Sequence, residues 1–241
     1  MRRRYLCGAF VGVFVIAAVL SATAGGAAST LRHGRMHRIT NSTSTNWSGY
    51  AVTGSRFTSV SSSWTEPTVS CSATAYSSFW VGLDGDTSNT VEQLGTDADC
   101  SGRTPQYYAW YEMYPKYPVN LSGKVLPGDK LTASVTTNGS GSFTLTISDT
   151  TQKWNFSTTQ RLKSAKLASA EVIAEAPSSN QGVLPLANFG TVGFTGATVN
   201  GAVLTNSTPH LDPITMQSGS TVKAQPGSLS NGAFSVAWKH S

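Results

Sequence analysis

The sequence predicts an all-β domain, and three observations carry that reading. Apolar and polar residues alternate with period two across residues 131–137, 143–147 and 234–238, the spacing that sends successive side chains to opposite faces of a strand. Between such runs lie turn-forming clusters: Asp84-Gly85-Asp86, Pro127-Gly128-Asp129, Asn138-Gly139, Asn200-Gly201, Pro226-Gly227 and Asn231-Gly232. Short alternating strands separated by such turns build a sandwich or a barrel. The one stretch of helix-friendly composition, residues 163–176, contains β-branched residues and stops at Pro177, so it reads as a strand with polar flanks. No internal repeat is visible, and residues 46–241 form one large β domain.

The amino-terminus has a different character. Arg2, Arg3 and Arg4 precede an uncharged run over residues 6–20, and Ala22-Thr23-Ala24 supplies small residues for a signal peptidase. The run falls short of the roughly 20 apolar residues that span a bilayer. Residues 1–24 are therefore expected to be a signal peptide, leaving a secreted, soluble, monomeric protein with no membrane attachment. Cys7 departs with the signal, which leaves Cys71 and Cys100. In an oxidising compartment these two read as one disulfide. Without His or Cys neighbours they make a poor metal site.

The net charge of +5 comes from 17 basic and 12 acidic residues. Six of the cations are Arg2, Arg3, Arg4, Arg32, Arg35 and Arg38, and every acid lies after Trp47, where 11 cations face 12 acids. A nearly neutral body with no basic stripe excludes nucleic acid as a partner through counterion release. Residues 25–45 are rich in Gly, Ala, Ser and Thr around a basic His/Arg cluster. Their low hydrophobicity predicts a weakly ordered linker or a basic pro-segment. As a pro-segment, its cations are expected to cover an acidic site and to let go when those acids protonate.

The chemistry available to the domain is restricted. Beyond the basic cluster only His210 and His240 remain, too few for a zinc hydrolase, and no nucleophile elbow or phosphate loop is present. Asp84-Gly85-Asp86 and Asp97-Ala98-Asp99 read as plain turns. Carboxylates and amides are left, consistent with a sugar-binding module, a glycosidase or an acid hydrolase. Glu171 and Glu175 share a strand face, but four residues at roughly 3.3 Å each hold them about 13 Å apart, too far for a dyad with each other.

Several segments then resemble, in order, those of the glutamic peptidases, or eqolisins. They are Asn46-Trp47-Ser48-Gly49-Tyr50, Ser78-Phe79-Trp80-Val81-Gly82-Leu83-Asp84-Gly85, Thr90-Val91-Glu92-Gln93-Leu94-Gly95-Thr96-Asp97, Tyr107-Tyr108-Ala109-Trp110-Tyr111-Glu112-Met113-Tyr114-Pro115, Ser169-Ala170-Glu171-Val172-Ile173-Ala174-Glu175-Ala176-Pro177 and Ala187-Asn188-Phe189-Gly190-Thr191-Val192. The resemblance spans residues 46–216. It implies a concanavalin A-like (lectin-like) sandwich of two curved, seven-stranded antiparallel sheets with a cleft on the concave face. It also implies a secreted endopeptidase working in acid on protein or peptide substrates, without metal, cofactor or covalent intermediate. Carried over residue by residue, the catalytic pair falls on Gln93 and Glu171, and the substrate-binding positions on Trp47, Trp80, Asp84, Trp110, Glu112 and Tyr114. A carboxylate can take a proton from attacking water and return it to the leaving amine. A neutral amide can donate to the oxyanion without competing for protons. Val172 and Tyr108 depart from the fungal pattern, where Trp and Asp stand, and bear on pocket shape and pH dependence. The short basic segment points to a bacterial-type member. The competing reading is a catalytically silent lectin-like sandwich that binds peptide or glycan through its aromatics.

Overall fold

The computed structural model describes residues 31–40, 42–54 and 56–241; the expected signal peptide lies outside them. In chain order the strands are β1 (Arg38–Thr40), β2 (Thr43–Ser44), β3 (Trp47–Thr53), β4 (Ser59–Thr65), β5 (Ser78–Leu83), β6 (Val91–Ser101), β7 (Thr104–Tyr114), β8 (Val119–Asn120), β9 (Lys130–Thr137) and β10 (Ser142–Asp149). They continue as β11 (Trp154–Arg161), β12 (Ser169–Glu175), β13 (Ser178–Ser179), β14 (Gly182–Val183), β15 (Thr191–Val199), β16 (Ala202–Val203), β17 (Leu211–Ser218), β18 (Thr221–Pro226) and β19 (Phe234–Trp238). No helix occurs among the described residues.

The period-two runs become β9, β10 and β19. In β9 and β10 the residues Leu131, Ala133, Val135, Phe143, Leu145 and Ile147 all enter the core. The threonines and serines between them face outward, and Ser134 and Thr146 hydrogen bond across the pair at 2.7 Å. The stretch ending at Pro177 contributes β12, a strand buried along its whole length.

Two antiparallel sheets result. The site sheet has seven strands in the order β8, β7, β6, β5, β12, β3, β17. The outer sheet runs β11, β10, β9, β4, β15, β19, β18, β17. Strand β17 serves both, pairing with β3 through its first half and with β18 through its second, so the layers are joined along one edge. The expected all-β sandwich is therefore what forms. Phe79, Val81, Leu83, Leu94 and Val172 of the site sheet pack against Val60, Trp64, Leu131, Phe194 and Val236 of the outer one. Cys71 and Cys100 form the expected disulfide, tying the segment after β4 to the end of β6.

Residues of opposite parity on the site sheet point away from this core. Trp47, Ala51, Trp80, Val91, Trp110, Ile173 and Ile214 make a second, smaller apolar cluster, joined by Met36 from the preceding arm. Where composition predicts weak order, the described part of that arm lies along this face. Arg32 exchanges two backbone hydrogen bonds with Ser178, at 2.8 and 2.9 Å, and Met36 donates to the Gly85 carbonyl at 3.1 Å. Strand β1 pairs with β2, and β2 runs parallel to β17. Backbone pairing and buried polar contacts hold the arm, interactions that a hydrophobicity pattern does not register.

Candidate active site

The register of the site sheet aligns its outward residues into rows. One row holds Ala51, Glu171, Gly82, Gln93 and Glu112; the next Gly49, Ile173, Trp80, Gly95 and Trp110; the third Trp47, Glu175, Ser78, Asp97 and Tyr108. Two glycines make room for the central indole. A Cβ on Gly82 would stand 2.9 Å from the Trp80 ring and 3.1 Å from the Gln93 Cβ, and one on Gly95 would stand 2.6 Å from the Trp80 Cβ. Only a residue without a side chain fits either position while Trp80 lies over the sheet.

The arm lays one peptide group across this floor. The His33 carbonyl accepts a hydrogen bond from Gln93 Nε2. The next amide, Gly34 N–H, donates to Glu175 Oε1 at 3.2 Å. Glu175 is held from two other sides, by Trp80 Nε1 on Oε2 at 2.7 Å and by Asn46 Nδ2 on Oε1 at 3.4 Å. Trp47 Nε1 donates to the Gly34 carbonyl at 3.1 Å. Thus an amide donor meets the carbonyl of a peptide bond while a carboxylate meets its nitrogen.

The His33 side chain fills a pocket beside that peptide. Its ring stacks on Trp110 with centroids 3.5 Å apart and planes 4° from parallel. Nε2 lies 3.1 Å from Asp97 Oδ2, and Nδ1 lies 3.4 Å from Glu112 Oε2. Glu112 Oε2 also accepts the His33 backbone N–H at 2.9 Å, and Asp97 Oδ1 accepts Trp110 Nε1 at 2.6 Å. Burial alone would depress the imidazole, but Asp97 and then Glu112 outweigh it and hold His33 up at about 10. Burial also raises Glu175 well above the usual carboxylate range, with His33 pulling the other way and Glu112 adding to the rise. Arg38 pairs with Asp86 and lies 3.5 Å from Asp212, so the arm's cations do meet acids of the body.

The expected site residues divide by what they touch. Gln93, Trp47, Trp110 and Glu112 meet the arm's peptide or its imidazole, Trp80 meets Glu175, and Tyr114 borders Gly34. Glu171, expected as the partner of Gln93, shares its row across Gly82 and faces the same cleft. Burial raises it well above the usual carboxylate range; Ser169 pulls it back, and Asp86, Asp84 and Glu92 add to the rise. Asp84, expected at the substrate, is fully buried, and its carboxylate accepts from the backbone N–H groups of Lys166, Leu167 and Ala168 at 2.8, 2.9 and 2.8 Å. It anchors the segment entering β12. Sequence reasoning missed Glu175, Asp97 and His33 as site residues. Strand parity places Glu175 on the same face as Glu171, but the Ala-Glu motif fits the earlier residue. Asp97-Ala98-Asp99, read as a turn, lies inside β6, where Asp99 accepts the hydroxyl of Tyr108 at 2.8 Å.

Comparison with known proteins gives this sandwich its class. The profile of the Peptidase A4 family matches residues 45–238, and the chain belongs to that family. Aspergillopepsin-2 of Aspergillus niger is 31% identical over 179 residues, covering 64% of this chain and 64% of that protein, so the chain spans just under two thirds of its relative's length. Scytalidopepsin B of Scytalidium lignicola is 40% identical over 112 residues, 45% of this chain and 42% of the relative. The solved structure of scytalido-glutamic peptidase with a transition state analog inhibitor superposes with a TM-score of 0.72 at 27% identity, covering 81% of this chain and 98% of that one. The glutamic peptidase resemblance is borne out. Both curated relatives are fungal, and the expectation of a bacterial-type member is not.

Proposed function

We propose that this protein is a glutamic endopeptidase acting in acid on protein or peptide substrates, with Gln93 and Glu171 as its catalytic pair. The observation that supports the reading is their shared row on the site sheet, on either side of Gly82, with Gln93 Nε2 meeting the carbonyl of the arm's His33. Glu175, which accepts from Trp80 Nε1 and from the Gly34 N–H, holds the backbone lying in the cleft.

The chemistry follows from the side chains. Glu171 takes a proton from water as it attacks the carbonyl carbon and hands it to the nitrogen as the bond breaks. Trp80 Nε1 holds one oxygen of Glu175 and leaves the other for the backbone N–H of the chain in the cleft. Gln93 donates to the oxygen on which charge develops; as an amide it stays neutral at every relevant pH. Pairing a carboxylate with an amide also avoids two adjacent acids sharing one proton. The N-terminal 24 residues are the proposed export signal, and the disulfide suits an oxidising exterior. Among the described residues no helix is long and apolar enough to cross a membrane.

The test is digestion of a denatured protein at pH 3–4 by the parent chain, with Gln93→Ala and Glu171→Gln beside it. The reading expects digestion by the parent and a loss of a thousandfold or more in each variant. Unimpaired digestion by either variant removes that residue from the mechanism.

A further inference from the structure

The row that carries Gln93 and Glu171 does not end at Glu171. The register continues it through Ala51 on β3 to Asp212 on β17, two strand spacings or roughly 10 Å further across the sheet. Asp86 stands at the same end, because one guanidinium reaches both acids: Arg38 Nη2 pairs with Asp86 Oδ1 and lies 3.5 Å from Asp212 Oδ2. The Asp86 side chain is fully buried, and its other oxygen, Oδ2, has no partner. A buried carboxylate deprived of its cation is costly, and the unused oxygen is an acceptor for a second N–H of the same planar fork. Arg38 belongs to the arm, as does Ser42, whose hydroxyl donates to Asp212 Oδ1. A substrate that takes the arm's place therefore meets two acids that have lost these partners. An open groove of about 480 Å³, lined by Asp212 with Thr53, Thr87, His210 and Leu211, continues from this seat. The arm also gives the spacing along a bound chain: the His33 carbonyl lies on Gln93, and Arg38, five residues on, lies on the two acids.

We propose that Asp86 and Asp212 form a specificity seat for a cationic side chain of a protein substrate, arginine foremost, on the carboxyl-terminal side of the cut and five residues beyond the carbonyl held by Gln93. The inference rests on the peptidase reading given above and adds to it a substrate class, polypeptides with a cation downstream of the cut. Arginine is favoured over lysine because its fork can meet both oxygens of Asp86 while lying against Asp212, whereas an ammonium offers a point charge. An acidic side chain in the seat would set three carboxyl groups together and is disfavoured.

The experiment gives the full chain at pH 4 three fluorogenic peptides that differ only in carrying Arg, Leu or Glu at the fifth residue after the cut. Cuts in a denatured protein are mapped by mass spectrometry alongside. The parent should favour the Arg peptide over the Leu peptide by about tenfold in kcat/KM, as a charge-assisted pair supplies, and chiefly through KM. The mapped cuts should be enriched in Arg and Lys at that same position. Asp212→Asn should lower the Arg-to-Leu ratio at least threefold, and Asp212→Arg should place Glu above Arg. Each ratio is taken within one enzyme, so a variant's general loss of activity cancels, and the parent's own ratio decides the matter if a variant does not fold. Equal rates on the Arg and Leu peptides, a preference confined to the amino-terminal side of the cut, or an Asp212→Arg chain that still prefers Arg overturns the proposal and leaves the peptidase reading standing. If the parent cuts neither peptides nor protein, both fall together.

Discussion

Trp80 and Glu175 lie on neighbouring strands, β5 and β12, and the indole N–H of the first donates to the carboxylate of the second at 2.7 Å. The partner of Trp80 in the ladder is Ile173, so the indole reaches diagonally to the carboxylate two residues further along β12. This one bond fixes which oxygen of Glu175 is left for the backbone lying in the cleft. It also favours the ionised form, since the donor binds the carboxylate better than the acid.

Trp80→Phe keeps the ring and removes the donor. A lost hydrogen bond to a charged group costs about 1.5–3 kcal/mol, so KM should rise roughly tenfold to a hundredfold with a smaller change in kcat, because Glu175 holds the substrate backbone. Steady-state assays at pH 4 read that split, and an unmoved KM would mean that the indole does not position Glu175.

The arm's imidazole gives a second prediction, which adds an alkaline limit to the expected release in acid. Around His33 stand Asp97, Asp99, Glu112 and Glu175, with Arg32 beside it in the chain. Its docked pKa is raised to about 10 from an ordinary 6.5, so its contribution to docking is complete below 6.5 and disappears as pH rises through 10. Burial raises Glu112 and Glu175, while the arm's own His33 pulls both down, so their contribution to docking is lost as they take up protons in acid. Carbon-13 NMR of the His33 ring in a Gln93→Ala chain should show imidazolium up to about pH 9, and hydrogen exchange in residues 32–36 should quicken toward pH 10 as well as in acid.

Buried acids set the pH range in which the fold is stable. Of the 12 acidic residues in the sequence, 11 are buried, whereas the lysines and arginines of the body lie outside except Lys223. Glu66, between the sheets, accepts from Thr96 Oγ1 at 2.5 Å and Trp64 Nε1 at 3.3 Å, yet burial pushes it to about 8. Burial and then Asp84 push Glu92 to about 9. A raised folded pKa means stability fully present below the unfolded value of 4.5 and lost as pH climbs toward 8–9. Several kcal/mol are at stake, so the melting temperature should drop by about 10 °C between pH 5 and pH 9. Glu66→Gln, neutral throughout, should flatten that slope; a parallel slope would show that Glu66 is ionised in the fold at little cost.

Much of the fold was legible because each strand carries its own pattern. The alternation in residues 131–137, 143–147 and 234–238 needs no partner to be read, and Cys71 and Cys100 had one pairing available. Gln93 and the indoles were reached through motif order. The contacts of Glu175 were not legible, because it shares the parity of Glu171 on β12 and what meets it depends on the register Ile173↔Trp80 and on how far an indole leans, which are long-range facts. How the arm docks was not legible for a related reason: its partners, Ser178, Asp97, Glu112 and Asp86, lie dozens of residues away.

The central claim is that Glu171 is the carboxylate that works with Gln93. Its direct measurement is kcat/KM at pH 4 on a fluorogenic peptide for Glu171→Gln and Glu175→Gln. Both chains would carry a site for an unrelated protease at residue 41, so that the arm can be removed alike from parent and variants. The expected result is a loss of at least a thousandfold for Glu171→Gln, in kcat, and a smaller loss for Glu175→Gln, chiefly in KM. Full activity in Glu171→Gln would contradict the account.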